Sequence, residues 1–277
     1  MTQFERYGQV PPPRSDARGD QPYRRGGPAP EWMSEDPPWA MPTRRHGATM
    51  AGDSNVACMN VIRTYRISSD DTVQALNGVD LELEPGTVTA LIGPSGSGKS
   101  TLLRLLACVD RPDSGLILIQ GRDTARLSRA RRVKFRRRRL GYMFQNPADN
   151  LIEYLTVRQH LRLAARMRGV RLRRREMDEL LDRLGIGAKA NNLPRQLSGG
   201  EQQRAAIAFA AVGPPALLVA DEPTGQLDHD TVGDVLDAFA ALASTGVTIV
   251  AATHDPIVAQ RADRVVHMVD GRIEEER

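Results

Sequence analysis

Lysine is almost missing from this chain of 277 residues. Of its 38 basic residues only Lys99, Lys134 and Lys189 are lysines; the rest are arginines. Such a bias reads as GC-rich coding before it reads as a binding surface. Cysteine is scarce too. Cys58 and Cys108 are the only two, which fits a reducing compartment, and they show no metal-ligand spacing. Long apolar runs are also lacking. Ala216–Ala220 and Val247–Ala252 fall far short of the roughly 20 residues that span a bilayer. No apolar stretch follows Met1, so no secretory signal is read and the expected compartment is the cytosol. Net charge is small, +4. Arginine is concentrated at Arg129–Arg139 and Arg171–Arg175. Those runs fit either a solvated helix face or a surface for nucleic acid or an anionic membrane.

What is present begins with a division. Nine of the 18 prolines lie between Pro11 and Pro42. No apolar period runs through residues 1–53, which read as a disordered tail. Trp32 and Trp39 fall in that tail, either as a short docking motif or as part of an idle leader, the preferred reading. Residues 54–277 read as the folded part. Strands are expected at Val56–Ile62, around Val79, Leu81 and Leu83, and at Val88–Ile92, Leu116–Ile119 and Leu140–Phe144. Further strands are expected at Leu217–Ala220, Val247–Ala252 and Val265–Val269. From Thr156 to Leu184 the apolar period turns helical, and Ala205–Ala211 and Val232–Leu242 read as helices as well.

Residues 93–101 read Gly93-Pro94-Ser95-Gly96-Ser97-Gly98-Lys99-Ser100-Thr101. They fit G-x-x-x-x-G-K-[ST], a phosphate-cradling P-loop. Its glycines let the backbone approach a polyphosphate, and successive N–H groups at a helix N-terminus make an anion site. Lys99 would reach the β- and γ-phosphates, and the Ser100 hydroxyl would bind Mg²⁺. A strand before the loop and the apolar-faced helix Ser100–Cys108 after it favour this over a flexible Gly/Ser loop. Cys108, at the end of that helix, reads as core. Further on, Leu217–Ala220 ends in Asp221-Glu222, the Walker B arrangement. Asp221 would hold Mg²⁺ opposite Ser100, and Glu222 would act as general base on a water.

Leu197-Ser198-Gly199-Gly200-Glu201-Gln202-Gln203-Arg204 resembles the LSGGQ signature of ATP-binding cassette (ABC) ATPases. The resemblance covers Asn55 to about Ile273. It implies an α/β fold: a P-loop NTPase of ABC type, with a RecA-like core, an antiparallel β subdomain and an α-helical insertion at about 146–196. It implies further roles. Tyr65 would stack on adenine. Gln145, after Gly141-Tyr142-Met143-Phe144, would be the Q-loop glutamine beside Mg²⁺. Asp228, in Gly225-Gln226-Leu227-Asp228, would be the D-loop aspartate, and His254 the switch histidine. In such proteins two cassettes pair head to tail around two ATP. Ser198, Gly199 and Gly200 of one copy would then face the phosphates held by the other. The run Glu222-Pro223-Thr224-Gly225-Gln226-Leu227-Asp228 resembles that of the macrolide-exporter, lipoprotein-release and cell-division group. Gln226, Phe209 and Val212-Gly213-Pro214-Pro215 depart from the group's pattern.

The resemblance implies an ATPase subunit at the cytoplasmic face of the membrane, attached peripherally. It would form a homodimer through the nucleotide sandwich and drive a separate multi-span permease, in export or mechanotransmission. No nucleic-acid partner is expected. The alternative is a soluble ABC ATPase acting on nucleic acid or ribosomes. Those proteins carry two cassettes or a long coiled coil, and neither is read here. A regulatory ATP binder without turnover conflicts with intact Lys99, Glu222 and His254. Leu151, Ile152, Tyr154 and Leu155 crowd beside Pro147 with too little period for a core helix. They either pack inside the insertion or form an apolar groove for a permease helix.

Overall fold

The computed structural model describes residues 55–68, 71–225, 227 and 229–276. These belong to one of the chain's two units, Thr49–Arg277. The tail with Trp32 and Trp39 lies outside the described residues, as do Gln226 and Asp228.

Strands β3 (Val88–Ile92), β7 (Leu217–Asp221) and β8 (Thr248–Ala252) read VTALI, LLVAD and TIVAA. Near-continuous apolar runs of this kind suit strands covered on both faces of a parallel sheet. With β6 (Leu140–Met143), β9 (Arg264–Val269) and β10 (Arg272–Glu276) they make a six-stranded sheet in the order β10-β9-β3-β8-β7-β6. All neighbours are parallel except β10, which folds back on β9. The turn of that hairpin is Asp270-Gly271, with φ of 47° and 74°. An Asp-Gly pair with both φ positive is a favoured two-residue hairpin turn.

A second, antiparallel sheet holds β1 (Val56–Arg66), β2 (Thr72–Leu83), β4 (Ser114–Ile119) and β5 (Arg122–Asp123), in the order β2-β1-β4-β5. Helix α1 (Lys99–Leu106) buries Leu102, Leu103, Leu105 and Leu106. They share one core with Leu76 and Ile117 of the antiparallel sheet and Leu91, Val219 and Val250 of the parallel one. Each fully buried leucine stabilises the fold by roughly 1.5–3 kcal/mol. The period of two along β7 divides its side chains. Leu217 and Val219 join that core, while Leu218 and Ala220 enter a second core. The second core is roofed by helices α3 (Val157–Arg168), α4 (Arg174–Arg183), α5 (Gly199–Ala211) and α6 (His229–Ala243).

Between β6 and α5 every regular element is helical: Pro147–Asn150, α3, α4, Gly187–Lys189 and Pro194–Gln196. The helical stretch expected over Thr156–Leu184 is broken in two. Thr156 opens α3 with a reciprocal capping box to Gln159, and Gly169, at φ 72°, ends it in the left-handed conformation. Leu151 is 7% exposed and packs in the second core, whereas Tyr154 is 78% exposed. The two readings of that segment therefore divide between its residues.

The long arginine run is helix α2 (Arg129–Arg139). It is not uniformly a solvent face. Phe135 is buried, and Arg132 and Arg136 donate to the carbonyls of Asp110 and Cys108 at 3.3 and 3.1 Å. Cys108 is itself buried, and burial pushes its thiol up to about 11. A thiol so far from ionisation is inert core, as its position after α1 suggested.

Candidate nucleotide-binding site

Parallel strands deliver their C-terminal ends to one edge of the sheet, where open α/β folds bind ligands. Here the ends of β3, β6, β7 and β8 carry the P-loop, Gln145, Asp221-Glu222 and Thr253-His254. The ladder holds them level. Leu91 pairs with Ala252, Ala252 with Asp221, and Ala220 with Met143. Two loop bonds extend the alignment: Glu222 N–H to the Ala252 carbonyl at 2.9 Å, and Thr253 N–H to that of Leu91 at 3.0 Å.

Within the P-loop, Pro94, Ser95 and Gly96 are exposed and Ser97 is buried. Close packing dictates two of its glycines. A Cβ on Gly93 would sit 2.0 Å from the Met268 carbonyl oxygen, and one on Gly98 would sit 2.4 Å from that of Ala75. Gly98 caps α1 at φ 99°, with no side-chain cap and no acid in the first turn. The helix N–H groups there are left for an anion. Lys99 Nζ folds back over the loop, donating to Gly93 O (2.9 Å), Pro94 O (2.8 Å) and Ser97 Oγ (3.4 Å). The ammonium therefore lies over the concavity that a polyphosphate would fill. Thr101, behind Ser100, is half-buried.

Ser100 Oγ–H donates to Asp221 Oδ1 at 3.3 Å. Burial pushes the Asp221 carboxyl above its usual range, the Ser100 hydroxyl opposes this, and the neighbouring Glu222 charge adds to the rise. A hydroxyl and a carboxylate so placed are hard oxygen donors of the kind Mg²⁺ takes. Among the described residues no cluster of three or more His, Cys, Asp or Glu forms a metal site. A cation here therefore needs oxygens from its substrate, the usual situation for Mg²⁺ at a nucleotide.

Glu222 has φ 47°, a left-handed backbone that costs a non-glycine residue about 1–2 kcal/mol. His254 Nδ1–H donates to its Oε1 at 3.0 Å, while its Oε2 is buried without a partner. The hydrogen bond to Glu222, then the charge of that carboxylate, raise the His254 pKa. The structure thus brings Lys99, Ser100, Asp221, Glu222 and His254 to one edge. Gln145 follows β6 at the same edge and is exposed, with Phe144 49% exposed beside it.

Ser198, Gly199 and Gly200 sit elsewhere, at the start of α5. Ser198 Oγ accepts from Glu201 N–H at 3.3 Å, and the Glu201 carboxylate accepts from Ser198 N–H at 2.9 Å. Ser198 and Gly199 are exposed, whereas Gly200 is buried. A Cβ on Gly200 would lie 1.8 Å from Thr231 Cγ2, so glycine lets α5 and α6 approach. Among the described residues no hydrogen bond or ion pair joins this turn to residues 93–101. Tyr65, near the end of β1, pairs with Val73 of β2, two residues before the Ala75 carbonyl that touches Gly98.

Two groups escape a reading of motifs. Arg63 and Asp110 surround Tyr65, and nothing in their local sequence marks them. His160 is buried on α3. Its Nδ1–H donates to the Thr156 carbonyl (2.9 Å) and its Nε2 accepts from Ile152 N–H (2.7 Å). Only the four-residue offset of His160 from the cap Thr156 hinted at the first bond.

Comparison with known proteins gives the same fold. The model of the family described as "ABC transporter" matches residues 76–225. The chain is 42% identical over 226 residues to a macrolide export ATP-binding/permease protein MacB of Syntrophobacter fumaroxidans, covering 80% of this chain and 31% of that protein. It is 40% identical over 228 residues to the lipoprotein-releasing system ATP-binding protein LolD 2 of Caulobacter vibrioides, covering 81% of this chain and 99% of that one. It thus spans about a third of the MacB relatives and nearly all of the LolD relative. Among solved structures, the dimeric form of MJ0796, a bacterial ABC transporter cassette, superposes with a TM-score of 0.71 at 35% identity, covering 80% of this chain and 97% of that one. The dimeric post-hydrolysis state of the same cassette, bound to ADP and Pi, gives 0.70 at 34% identity, over the same shares. With the P-loop, the paired acids and the signature turn in place, the chain belongs to the ABC transporter family, as one of its ATPase cassettes.

Proposed function

We propose that this cassette hydrolyses ATP to drive a separate multi-span permease, in export or mechanotransmission, from a peripheral position at the cytoplasmic face of the membrane. The observation that carries the chemistry is the Glu222 carboxylate, with one oxygen on His254 and the other buried and unpartnered beside the Ser100–Asp221 pair. A buried acceptor without a donor is costly, and a water presented to it would supply one. Glu222 then takes the water's proton. His254 orients the carboxylate. Lys99 leaves its own loop carbonyls for the β- and γ-phosphates, and the N–H groups of Gly96 to Ser100 receive the remaining phosphate oxygens. Mg²⁺, held by Ser100, Asp221 and Gln145, would neutralise the polyphosphate as charge develops.

The exposed Ser198–Gly199 turn, unconnected to its own P-loop, supports a homodimer. Each turn would close the partner's site, with Asp228 at the seam. The relatives named for macrolide export and lipoprotein release support the permease. For an ATPase acting on nucleic acid, α2 offers less than its sequence suggests, because Arg132 and Arg136 are spent on backbone carbonyls. The test is co-expression with the multi-span permease encoded nearest in the genome. The reading expects a complex that survives detergent and whose ATPase exceeds that of the free cassette. A cassette that ignores the permease, yet is stimulated by RNA or ribosomes, would sink it.

A further inference from the structure

The surroundings of Tyr65 carry an inference that rests on reading Tyr65 as the contact for the nucleotide base. The Arg63 guanidinium carbon lies 4.6 Å from the centroid of the Tyr65 ring. That guanidinium is held from behind by two carboxylates. Asp110 lies 3.2 Å from it and Asp113 lies 2.8 Å away. The Tyr65 hydroxyl donates to Asp110 Oδ2 at 3.0 Å, so one carboxylate grips both the cation and the tip of the ring. The turn that supplies these acids is tied to β1 by Asp113 N–H to the Ile62 carbonyl (2.9 Å) and Thr64 N–H to Asp113 Oδ2 (2.6 Å). Asp110 stays ionised. Burial works against its charge, but the Arg111 N–H, the Tyr65 hydroxyl and Arg63 outweigh burial and hold its carboxyl below the usual range.

We propose that Arg63 and Asp110 are positioning residues that build the base platform. Arg63 occupies one face of the Tyr65 ring, Asp110 fixes its hydroxyl, and the opposite face is presented, already oriented, to a purine. Two physical effects follow. A ring with its tip anchored and one face covered loses little rotamer freedom when a base arrives. A cation against one face also draws electron density from the ring, which favours stacking of an electron-rich purine on the other.

The test separates base from phosphate. Binding of ATP and of inorganic tripolyphosphate, each with Mg²⁺, is measured by calorimetry on the full chain and its variants. Tyr65→Ala should weaken ATP about tenfold or more, in line with base stacking on aromatics, and leave tripolyphosphate unchanged. Arg63→Met and Asp110→Asn should each weaken ATP about three- to tenfold, again without moving tripolyphosphate, and Arg63→Lys should recover part of the loss. Tripolyphosphate binding doubles as the check that each variant is folded. If the Arg63 and Asp110 variants bind ATP as the parent does while Tyr65→Ala does not, the platform inference falls and the base contact stands. Equal losses for ATP and tripolyphosphate overturn it too, because they mark a general structural role. If Tyr65→Ala itself binds ATP normally, the base reading and the inference fall together.

Discussion

At the scale of single residues, Glu222 in the candidate site and His160 in the helical segment each make specific demands on their surroundings. Glu222 holds a left-handed backbone at φ 47° and a carboxylate with one bare oxygen. Both are local expenses of the kind found where strain belongs to mechanism. Glu222→Gln keeps the shape and the bond to His254 but cannot take a proton. It should retain ATP binding and lower turnover by about 10²–10⁴, as measured by phosphate release; turnover at the parent rate would remove Glu222 from the base role. His160 makes both of its bonds only as neutral imidazole. Burial lowers its pKa, partly opposed by the Thr156 carbonyl. The folded value therefore lies below the unfolded one of about 6.5. Its contribution is complete above that pH and is lost as pH falls from there through the lowered folded value. The stability difference between parent and His160→Gln should shrink from pH 7.5 to pH 5, read from urea midpoints, with faster exchange of the Ile152 amide. A difference independent of pH would show that the ring acts only by packing.

At the scale of elements, the segment between β6 and α3 is an anchored strap. Leu151 sits in the core, the Ile152 amide is held by His160, and Tyr154 points to solvent. The strap lies beside Gln145 and exposed Phe144, so it is the proposed docking site for a permease helix. Two substitutions separate its roles. Leu151→Asp places a charge in the core and should unfold the cassette or lower its melting temperature by many degrees. Tyr154→Asp should leave melting temperature and the ATPase of the free subunit unchanged but abolish stimulation by the permease. If the permease complex tolerates Tyr154→Asp, docking lies elsewhere. Arg168, at the far end of α3, ties the same helix to the core. It donates to the carbonyls of Leu140 (3.1 Å) and Ala210 (2.6 Å), forms no ion pair among the described residues, and burial lowers its pKa to about 10. It therefore stays charged at neutral pH, bound by the first carbonyl of β6 and by one in the last turn of α5, where helix dipoles favour a cation.

At the scale of the whole molecule, the described chain holds both halves of the proposed nucleotide sandwich, and among the described residues no hydrogen bond or ion pair joins them. In the proposed homodimer a second copy would bring its Ser198 turn to this P-loop edge. A two-fold axis would make both sites complete at once. Glu222→Gln, which stalls turnover, should therefore double its mass by light scattering when ATP is added. Ser198→Asp tests the other half. Aspartate caps a helix as well as serine does, so α5 should fold normally. Its charge would face the partner's phosphates, however, so Ser198→Asp combined with Glu222→Gln should bind ATP and remain monomeric. A normal ATP dimer in that double variant would place the signature turn away from the seam.

The sequence by itself determined the local chemistry. A P-loop works through residues that are neighbours in the chain, so Gly93 to Thr101 could be read directly. So could the apolar runs of β3, β7 and β8, because burial on both faces leaves a mark in composition. The capping box at Ser198 and the hairpin pair Asp270-Gly271 act over a few residues as well, but the structure was what brought them to notice. Only the tertiary structure decided what non-local pairing decides. No period reveals that β8 lies between β3 and β7, yet that order brings His254 to Glu222 and Asp221 to Ser100. The apolar residues Leu151, Ile152, Tyr154 and Leu155 looked alike, and packing alone buried Leu151 and exposed Tyr154. The arginines of α2 looked alike, and the helix angle turned Arg132 and Arg136 inward to carbonyls a full strand away in the chain. Arg63 and Asp110 carry no motif at all. They meet Tyr65 because an antiparallel sheet and a loop after α1 come together there, and that meeting is a property of the folded chain.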